Sequence, residues 1–505
     1  MRPAQGQAVG TSPAPVSTLR RVAAATVHYG LASVLPRIVN FALIPVFAIF
    51  LPPEELGVLE IATALMVLMQ TVSRLGLTGS LARQYFDHRG KDSARDLFTT
   101  IAAIALVSSG LAMGLVLVVG PPIFQRFIPE VVFHPAMDLA LVTAFLQFGP
   151  ELQTRVLQAR EHSRLAASIT IVLSIIGTAL KVVFVIGLRW GVLGVLWGEL
   201  FTALAALVIA VWLQRDDLRG RIRWDLGKEA LAYGTPLILQ GLGAWAQDYG
   251  GRWILGAMGV LAAVGQLGLA ARIASPIVIA TSAFISAFSP VYFAWRTDLS
   301  KDAALAETRK TTVALMTILS VGALGAGTVG AFFLGHLMPD SYRDAMTLVG
   351  FIAAGLQIRV MYNIFGTELL YANNTKAMSV IFIVGAAATL LFTIALVPPL
   401  GAVGAALGQV CGTAIMVLSS AIYAKRSFPL AVSPRLLLAT IFAAVAASAG
   451  PYLLPGASML VDLLAAIGLF LAFALACLLI AGFSRATVKR AMALRRGALQ
   501  GAAES

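Results

Sequence analysis

The chain has 505 residues, 59% of them hydrophobic and only 12% charged, with a mean hydropathy of +0.86. That composition excludes an ordinary soluble domain and defines an all-α polytopic membrane protein. A formal net charge of +13 at pH 7 would raise nucleic acid as a partner of a soluble chain, but here basic loops meeting anionic lipid account for it and nucleic acid is not implied.

The first 19 residues are polar and rich in Ala, Pro and Ser, and Arg20 and Arg21 lead into the first apolar run. No cleavage-site pattern follows a short apolar core, so the first span is expected to be retained. Fourteen apolar runs then follow, each about enough for a helix to cross a ~30 Å hydrocarbon core. Span 1 (30–51) places Ser33, Arg37 and Asn40 on one face. "PPEEL" at 52–56 reads as a turn and helix start, opening span 2 (56–76). Spans 3 (97–120) and 4 (137–156) are followed by span 5 (166–188), with Thr170, Ser174, Thr178 and Lys181 along one face. Span 6 (191–213) opens on "GVLGVLWGEL", whose glycines at GxxGxxxG spacing precede an acid, Glu199. Each such glycine forfeits roughly 1 kcal/mol of helix propensity in a soluble helix.

Span 7 (230–254) leads to span 8 (262–290), striped by Arg272, Ser275, Ser282, Ser286 and Ser289. Span 9 (310–335) precedes span 10 (345–369), where Gly355, Arg359, Tyr362, Asn363 and Gly366 share a face. Spans 11 (377–397), 12 (401–423), 13 (435–454) and 14 (458–482) complete the set. Residues 484–500 put Arg485, Lys489, Arg490, Arg495 and Arg496 on a short amphipathic segment, expected to lie on anionic lipid.

With the N-terminus inside, 29 of the 37 Lys and Arg fall on cytoplasmic segments and the span ends that meet them. Only Arg126, Arg189, Arg252 and Arg343 fall outside. Because cytoplasmic loops retain basic residues, both termini are expected in the cytoplasm.

The chain also repeats itself. Gly191, Gly194, Gly198 and Glu199 correspond to Gly401, Gly404, Gly408 and Gln409; "GVLEIA" at 57–62 resembles "GQLGLA" at 265–270; Tyr85 and Phe86 match Tyr292 and Phe293; and "QAREHSRLA" at 158–166 resembles "YANNTKAMS" at 371–379. A near-constant offset marks an internal duplication. Six spans per unit make it a parallel repeat about an axis along the membrane normal. The expected organisation is a cytoplasmic tail 1–27, an N-lobe 28–220, a C-lobe 221–427, two added spans in 428–483 and a basic cytoplasmic tail 484–505. The glycines read as a close helix contact repeated in each lobe.

Four cations, Arg37, Lys181, Arg272 and Arg359, lie within spans. A charge at membrane depth is costly, and such residues usually face an interior or water-filled path. Lys181 is near enough to a span end to snorkel, whereas Arg272 and Arg359 are too deep. Two cations from each lobe suit an anionic substrate, since arginine grips phosphate through paired donors. Glu199, matched by the neutral Gln409, is expected to face the same cavity.

No catalytic constellation competes. The five histidines lack metal spacing, no GxxxxGKS/T is present, and Cys411 and Cys477 read as small packing residues. Neither metal nor cofactor is implied.

"LPPEELGVLEIATAL", "RLGLTGSLARQYFDHRG" and "GAVGAALGQVCGT" resemble segments of bacterial polysaccharide flippases of the O-antigen and exopolysaccharide type. Those belong to the multidrug, oligosaccharidyl-lipid and polysaccharide exporter superfamily, and the resemblance covers about residues 28–482. It implies a non-enzymatic carrier in the cell inner membrane. Two lobes would rock about a cationic cavity and move a sugar chain on undecaprenyl pyrophosphate to the outer leaflet, drawing on an ion gradient and working beside other polysaccharide assembly proteins. Where family members often show an Asp-Arg pair at the outer end of span 7, this sequence reads "DYGGRWILG". Arg252 matches the arginine and joins the cavity candidates; Gly251 replaces the acid, and Asp248 stands one turn away. Asp248 and Glu199 are the candidate ion-coupling acids. Two other readings share features with this one. A multidrug exporter of the same superfamily would want cavity acids for cationic drugs. A membrane glycosyltransferase or polymerase using lipid-linked sugars would present an acidic pair like that of "PPEEL", but with a larger external domain.

Overall fold

The structure, a computed structural model, describes residues 43–85, 91–160, 162–372, 374–429 and 432–481. Arg37 with most of span 1, the N-terminal tail and the basic tail 484–500 lie outside the described residues. The elements follow the apolar runs closely. Helix α1 (Ile44–Phe50) ends span 1, and α2 (Pro53–Ser73) is span 2. Its N-cap, Pro52, is extended, and Glu54 and Glu55 sit in its first turn, so "PPEEL" is a helix start. Short α3 (Leu77–Gln84) leads to α4 (Lys91–Phe127), which contains span 3. Span 4 is broken at Gln147 into α5 (Ala136–Leu146) and α6 (Phe148–Ala159). Helices α7 (Ser163–Val182) and α8 (Gly191–Leu213) are spans 5 and 6.

In the second half, α9 (Trp224–Ala257) is span 7, and span 8 is divided into α10 (Leu261–Ala274) and α11 (Pro276–Asp298). Pro276 brings no N–H to the ladder and its ring crowds the preceding turn, which is why the helix breaks there. Helix α12 (Lys301–Gly325) continues through a π-helical turn, Ala326–Gly330, into α13 (Ala331–Leu337), together span 9. Helix α14 (Ala345–Tyr371) is span 10. Spans 11 and 12 are joined in α15 (Thr375–Lys425), which is broken after Pro398 and Pro399 by Gly401, at φ +55° and ψ −131°. Helices α16 (Pro434–Ala449) and α17 (Met459–Ile480) are spans 13 and 14.

Among the described residues, ten helices are long and apolar enough to cross a membrane, α15 with two spans among them. Helix α9 is long but too polar along its length to be among them, and it carries Gln247, Asp248 and Arg252. The bundle is an all-α polytopic fold of two six-helix lobes with two C-terminal helices, α16 and α17, packed on α12 and α14. Its outer surface is apolar, as lipid requires: Leu111, Val118 and Leu475 are each more than half exposed.

The repeat extends to the backbone. Gly191 and Gly401 share a positive φ, +56° and +55°, at the start of spans 6 and 12, where residues with a β-carbon are strained. Each glycine row then packs its span on the preceding one. Gly194 and Gly198 lie against Phe184 and Lys181, and Gly404 and Gly408 against Leu396 and Thr393. The glycines serve close helix contact within each lobe.

Between the lobes, α2 and α10 meet at their first turns, here termed the Pro53 end. A β-carbon on Gly57 would collide with the Leu261 carbonyl, and one on Gly265 with the Pro53 carbonyl. Pro53 and Gly57 correspond in the repeat to Leu261 and Gly265. The two contacts are therefore one contact made twice about a pseudo-two-fold axis. Tyr342, in a 3₁₀ turn between spans 9 and 10, adds to this end by donating to the Leu51 carbonyl at 2.7 Å. Burial pushes the Tyr342 hydroxyl above its ordinary pKa, which keeps that donor protonated. Farther along, Trp245 Nε1 donates to the Ala64 carbonyl at 2.8 Å.

Candidate functional site: a paired-charge cavity between the lobes

A cavity of about 490 Å³ lies between the lobes, and a second of about 390 Å³ adjoins it within the C-lobe; the two share Tyr249, Arg252, Ala271 and Val278. The larger is lined on one side by α1, α2, α7 and α8 and on the other by α9, α10 and α11, and it holds Glu60, Lys181, Glu199, Arg252 and Arg272. The smaller holds Asp248, Arg252 and Arg359, with Thr281, Asn363 and Gln409 as neutral polar groups. Helix rise puts Glu60 about 10 Å, Arg272 about 16 Å and Arg359 about 21 Å from the start of their helices at the Pro53 end.

Of the residues singled out in the sequence, Lys181, Glu199, Asp248, Arg252, Arg272 and Arg359 all converge here. Arg37 lies outside the described residues. Of the neutral stripe residues, Ser275, Ser282 and Asn363 line the cavities, but Ser286 and Ser289 do not, and both donate to carbonyls of their own helix. Their spacing therefore marked a helix face more than a cavity wall.

Each cation has an acidic partner. Lys181 Nζ donates to Glu199 Oε1 at 3.0 Å, joining spans 5 and 6 within the N-lobe. Arg359 pairs with Asp248, joining spans 10 and 7 within the C-lobe. Arg252 also donates to the Asp248 backbone carbonyl, one helical turn back, at 2.6 Å. The remaining pairing crosses between lobes. Glu60 Oε1 accepts from Arg272 Nη2 at 2.7 Å and Nε at 3.3 Å, and Glu60 Oε2 lies 3.1 Å from Arg252 Nε. Glu60 is 4% exposed. Its carboxylate rests over Gly268, where a β-carbon would strike it. An acid so buried is tolerable only because two guanidinium groups flank it.

The cavity walls thus carry four cations and three acids, a formal charge of +1 among the described residues. Glu60 was not recognised as a site residue from sequence. The sequence does carry a signal for it: an acid mid-run in "GVLEIATAL" is as costly at membrane depth as a cation. Another carboxylate outside the candidate set, Glu55, has a different role: its Oε2 accepts from the Val192 N–H at 2.8 Å, fastening the start of α8 to α2.

Two pseudo-symmetric six-helix lobes, two appended helices and a charged cavity at the interface define the class: this is the fold of the multidrug, oligosaccharidyl-lipid and polysaccharide exporter superfamily. Solved structures with this fold include the lipid II flippase MurJ in an inward closed conformation, with a TM-score of 0.67 and 14% identity over 88% of this chain and 97% of that one. A point mutant of the Vibrio cholerae MATE transporter VcmN gives 0.58 and 14% over 81% and 96%. An inward-facing multidrug resistance MATE family transporter gives 0.57 and 16% over 80% and 97%. At these identities the likeness is one of fold. No curated protein matches the sequence. The family is given by the sequence itself: residues 22–294, more than half of the chain, match the model of the polysaccharide biosynthesis protein family, and the chain belongs to that family.

Proposed function

We propose that the protein is a flippase that carries an undecaprenyl-pyrophosphate-linked oligosaccharide from the inner to the outer leaflet of the cytoplasmic membrane by alternating access. Family membership supports a role in polysaccharide assembly, and the fold is shared with carriers that include a lipid II flippase. The observation that carries the reading is the position of Arg252 and Arg272. They converge on one carboxylate at the wall of a 490 Å³ cavity, and two guanidinium groups that grip a carboxylate offer the geometry that binds phosphate oxygens. Asn363, Gln409, Thr281 and Ser282 in the adjoining cavity are suited to sugar hydroxyls. Both termini and the Lys/Arg-rich loops are assigned to the cytoplasm, which puts the Pro53 end at the outer face.

The test is accumulation of substrate. Arg272→Ala should stall export and build up lipid-linked oligosaccharide on the inner leaflet at normal protein abundance, and Arg272→Lys should restore export only in part. Arg359→Ala should do likewise. Normal export by both alanine variants would overturn the reading.

The cavity acids Glu60, Asp248 and Glu199 are what a cationic-drug exporter would display, so that alternative keeps a foothold. Each of the three is already engaged by a cation of the protein, and drug efflux without any effect on lipid-linked intermediates would be its signature.

A further inference from the structure

The charge bridge between the lobes and the helix contact at the Pro53 end belong to one stretch of wall. Gly57 and Gly265 set the backbone approach of α2 and α10. One turn deeper on the same two helices, Glu60 lies over Gly268 and reaches Arg272 and Arg252. The pairing has a particular asymmetry. Glu60 comes from the N-lobe, both arginines come from the C-lobe, and the carboxylate itself is buried. Arg272, by contrast, is 39% exposed toward the cavity, so a ligand can reach the guanidinium from the side that the carboxylate leaves free.

We propose that Glu60 is a built-in stand-in for the substrate's phosphate: in the empty carrier it occupies Arg252 and Arg272, and an arriving pyrophosphate displaces it and so loosens the closure of the Pro53 end. This rests on the reading of the substrate as a pyrophosphate lipid. The exchange puts one oxyanion in place of another, so neither arginine is left buried and unpaired. The released carboxylate rotates toward the 490 Å³ cavity, whose wall Glu60 already forms in part. What changes is the connection between lobes. Glu60 is part of α2 and pulls the N-lobe to the C-lobe, whereas a pyrophosphate on a flexible lipid satisfies the same arginines without holding α2. The substrate thereby binds the two conformations differently, as any ligand must if it is to shift their populations.

The exchange also confers selectivity. A neutral glycan cannot release Glu60, and a cation would be repelled by the arginines. Only an anion with oxygens spaced to meet both Arg252 and Arg272 competes, so the closure responds to the phosphate and tolerates variety in the sugars.

The test uses the full-length protein in nanodiscs with undecaprenyl pyrophosphate as the probe, read by native mass spectrometry. Glu60→Gln keeps the side chain's size and removes the competing charge. It should bind the probe at least about fivefold more tightly than wild type, within the usual range of a coupling between sites, and Glu60→Asp should return affinity toward wild type. Adding Arg272→Gln to Glu60→Gln should abolish the gain. A purely structural Glu60 would leave affinity unchanged or weaken it, and either result overturns the exchange. Absence of probe binding by wild type and Glu60→Gln alike would overturn the substrate reading itself, whereas equal binding by both would overturn the exchange alone. Independently of any change at Glu60, spin labels at Glu54→Cys and Met258→Cys, in a background lacking Cys411 and Cys477, should show a longer distance when the probe is added. An unchanged distance distribution would refute the loosening.

Discussion

Alanine at Gly57 or Gly265 probes the lobe contact in a way that can be worked through from its geometry. In both cases the new methyl group faces a main-chain carbonyl, of Leu261 or of Pro53, which cannot rotate away as a side chain would. The helices have to part by roughly an ångström before ordinary van der Waals separation is restored. Overpacking of this sort costs about 1–3 kcal/mol, and the loss falls on the conformation in which α2 and α10 touch. A carrier that alternates would then shift toward its other state by about 5- to 150-fold. Because the contacts are related by the pseudo-two-fold axis, the parting that accommodates one methyl also accommodates the other. The double variant should therefore lose less than the sum of the singles, by about 0.5 kcal/mol or more. The measurements are the melting temperature of purified protein and the labelling rate of Ser275→Cys by a membrane-impermeant maleimide added from outside, which should rise in all three variants. Fully additive losses, or single variants that melt and label like wild type, would refute the argument.

The two glycines at positive φ make a second prediction. Gly401→Ala meets no neighbouring atom and should show backbone strain alone, about 1–3 kcal/mol, whereas Gly191→Ala also strikes Glu55 and breaks its bond to the Val192 N–H, adding about 1 kcal/mol in a comparison of melting temperatures. For topology, a reporter fused near Arg219 should read cytoplasmic, and a periplasmic signal would reverse the assignment of the Pro53 end. Truncation after Phe483 should leave substantial export; complete loss in a stably expressed truncation would show that the basic tail does more than rest on lipid.

What the sequence revealed followed from what the membrane makes costly. Apolar runs long enough to cross it stood out, and thirteen of the fourteen fall on described helices, span 1 being described only from Leu43. The repeat was legible because spans 6 and 12 need glycine at matching places, first for a positive φ and then for close packing. Arg272 and Arg359 were conspicuous as buried charges. Asp248, the partner of Arg359, stood out beside Arg252, but Glu60 did not stand out as the partner of Arg272, because the two are 212 residues apart and no local pattern reports such a pairing. The sequence points to a cationic cavity with Asp248 and Glu199 as its acids, and the structure adds Glu60, which brings the acids close to the cations in number. The break at Ser275–Pro276 was also passed over inside one long apolar run, although Pro276 was there to announce it.

The doubled contact at the Pro53 end bears on the kinetics of opening. Two equivalent contacts that share an axis cannot be broken one after the other by a rigid rotation of the lobes; the motion that frees Gly57 from Leu261 frees Gly265 from Pro53 at the same moment. Half-open intermediates would give up packing at both places without admitting a ligand at either, so they should be sparsely populated. The barrier is then concentrated in a single cooperative event, and single-molecule records of the opening should show two dwell states with abrupt transitions between them.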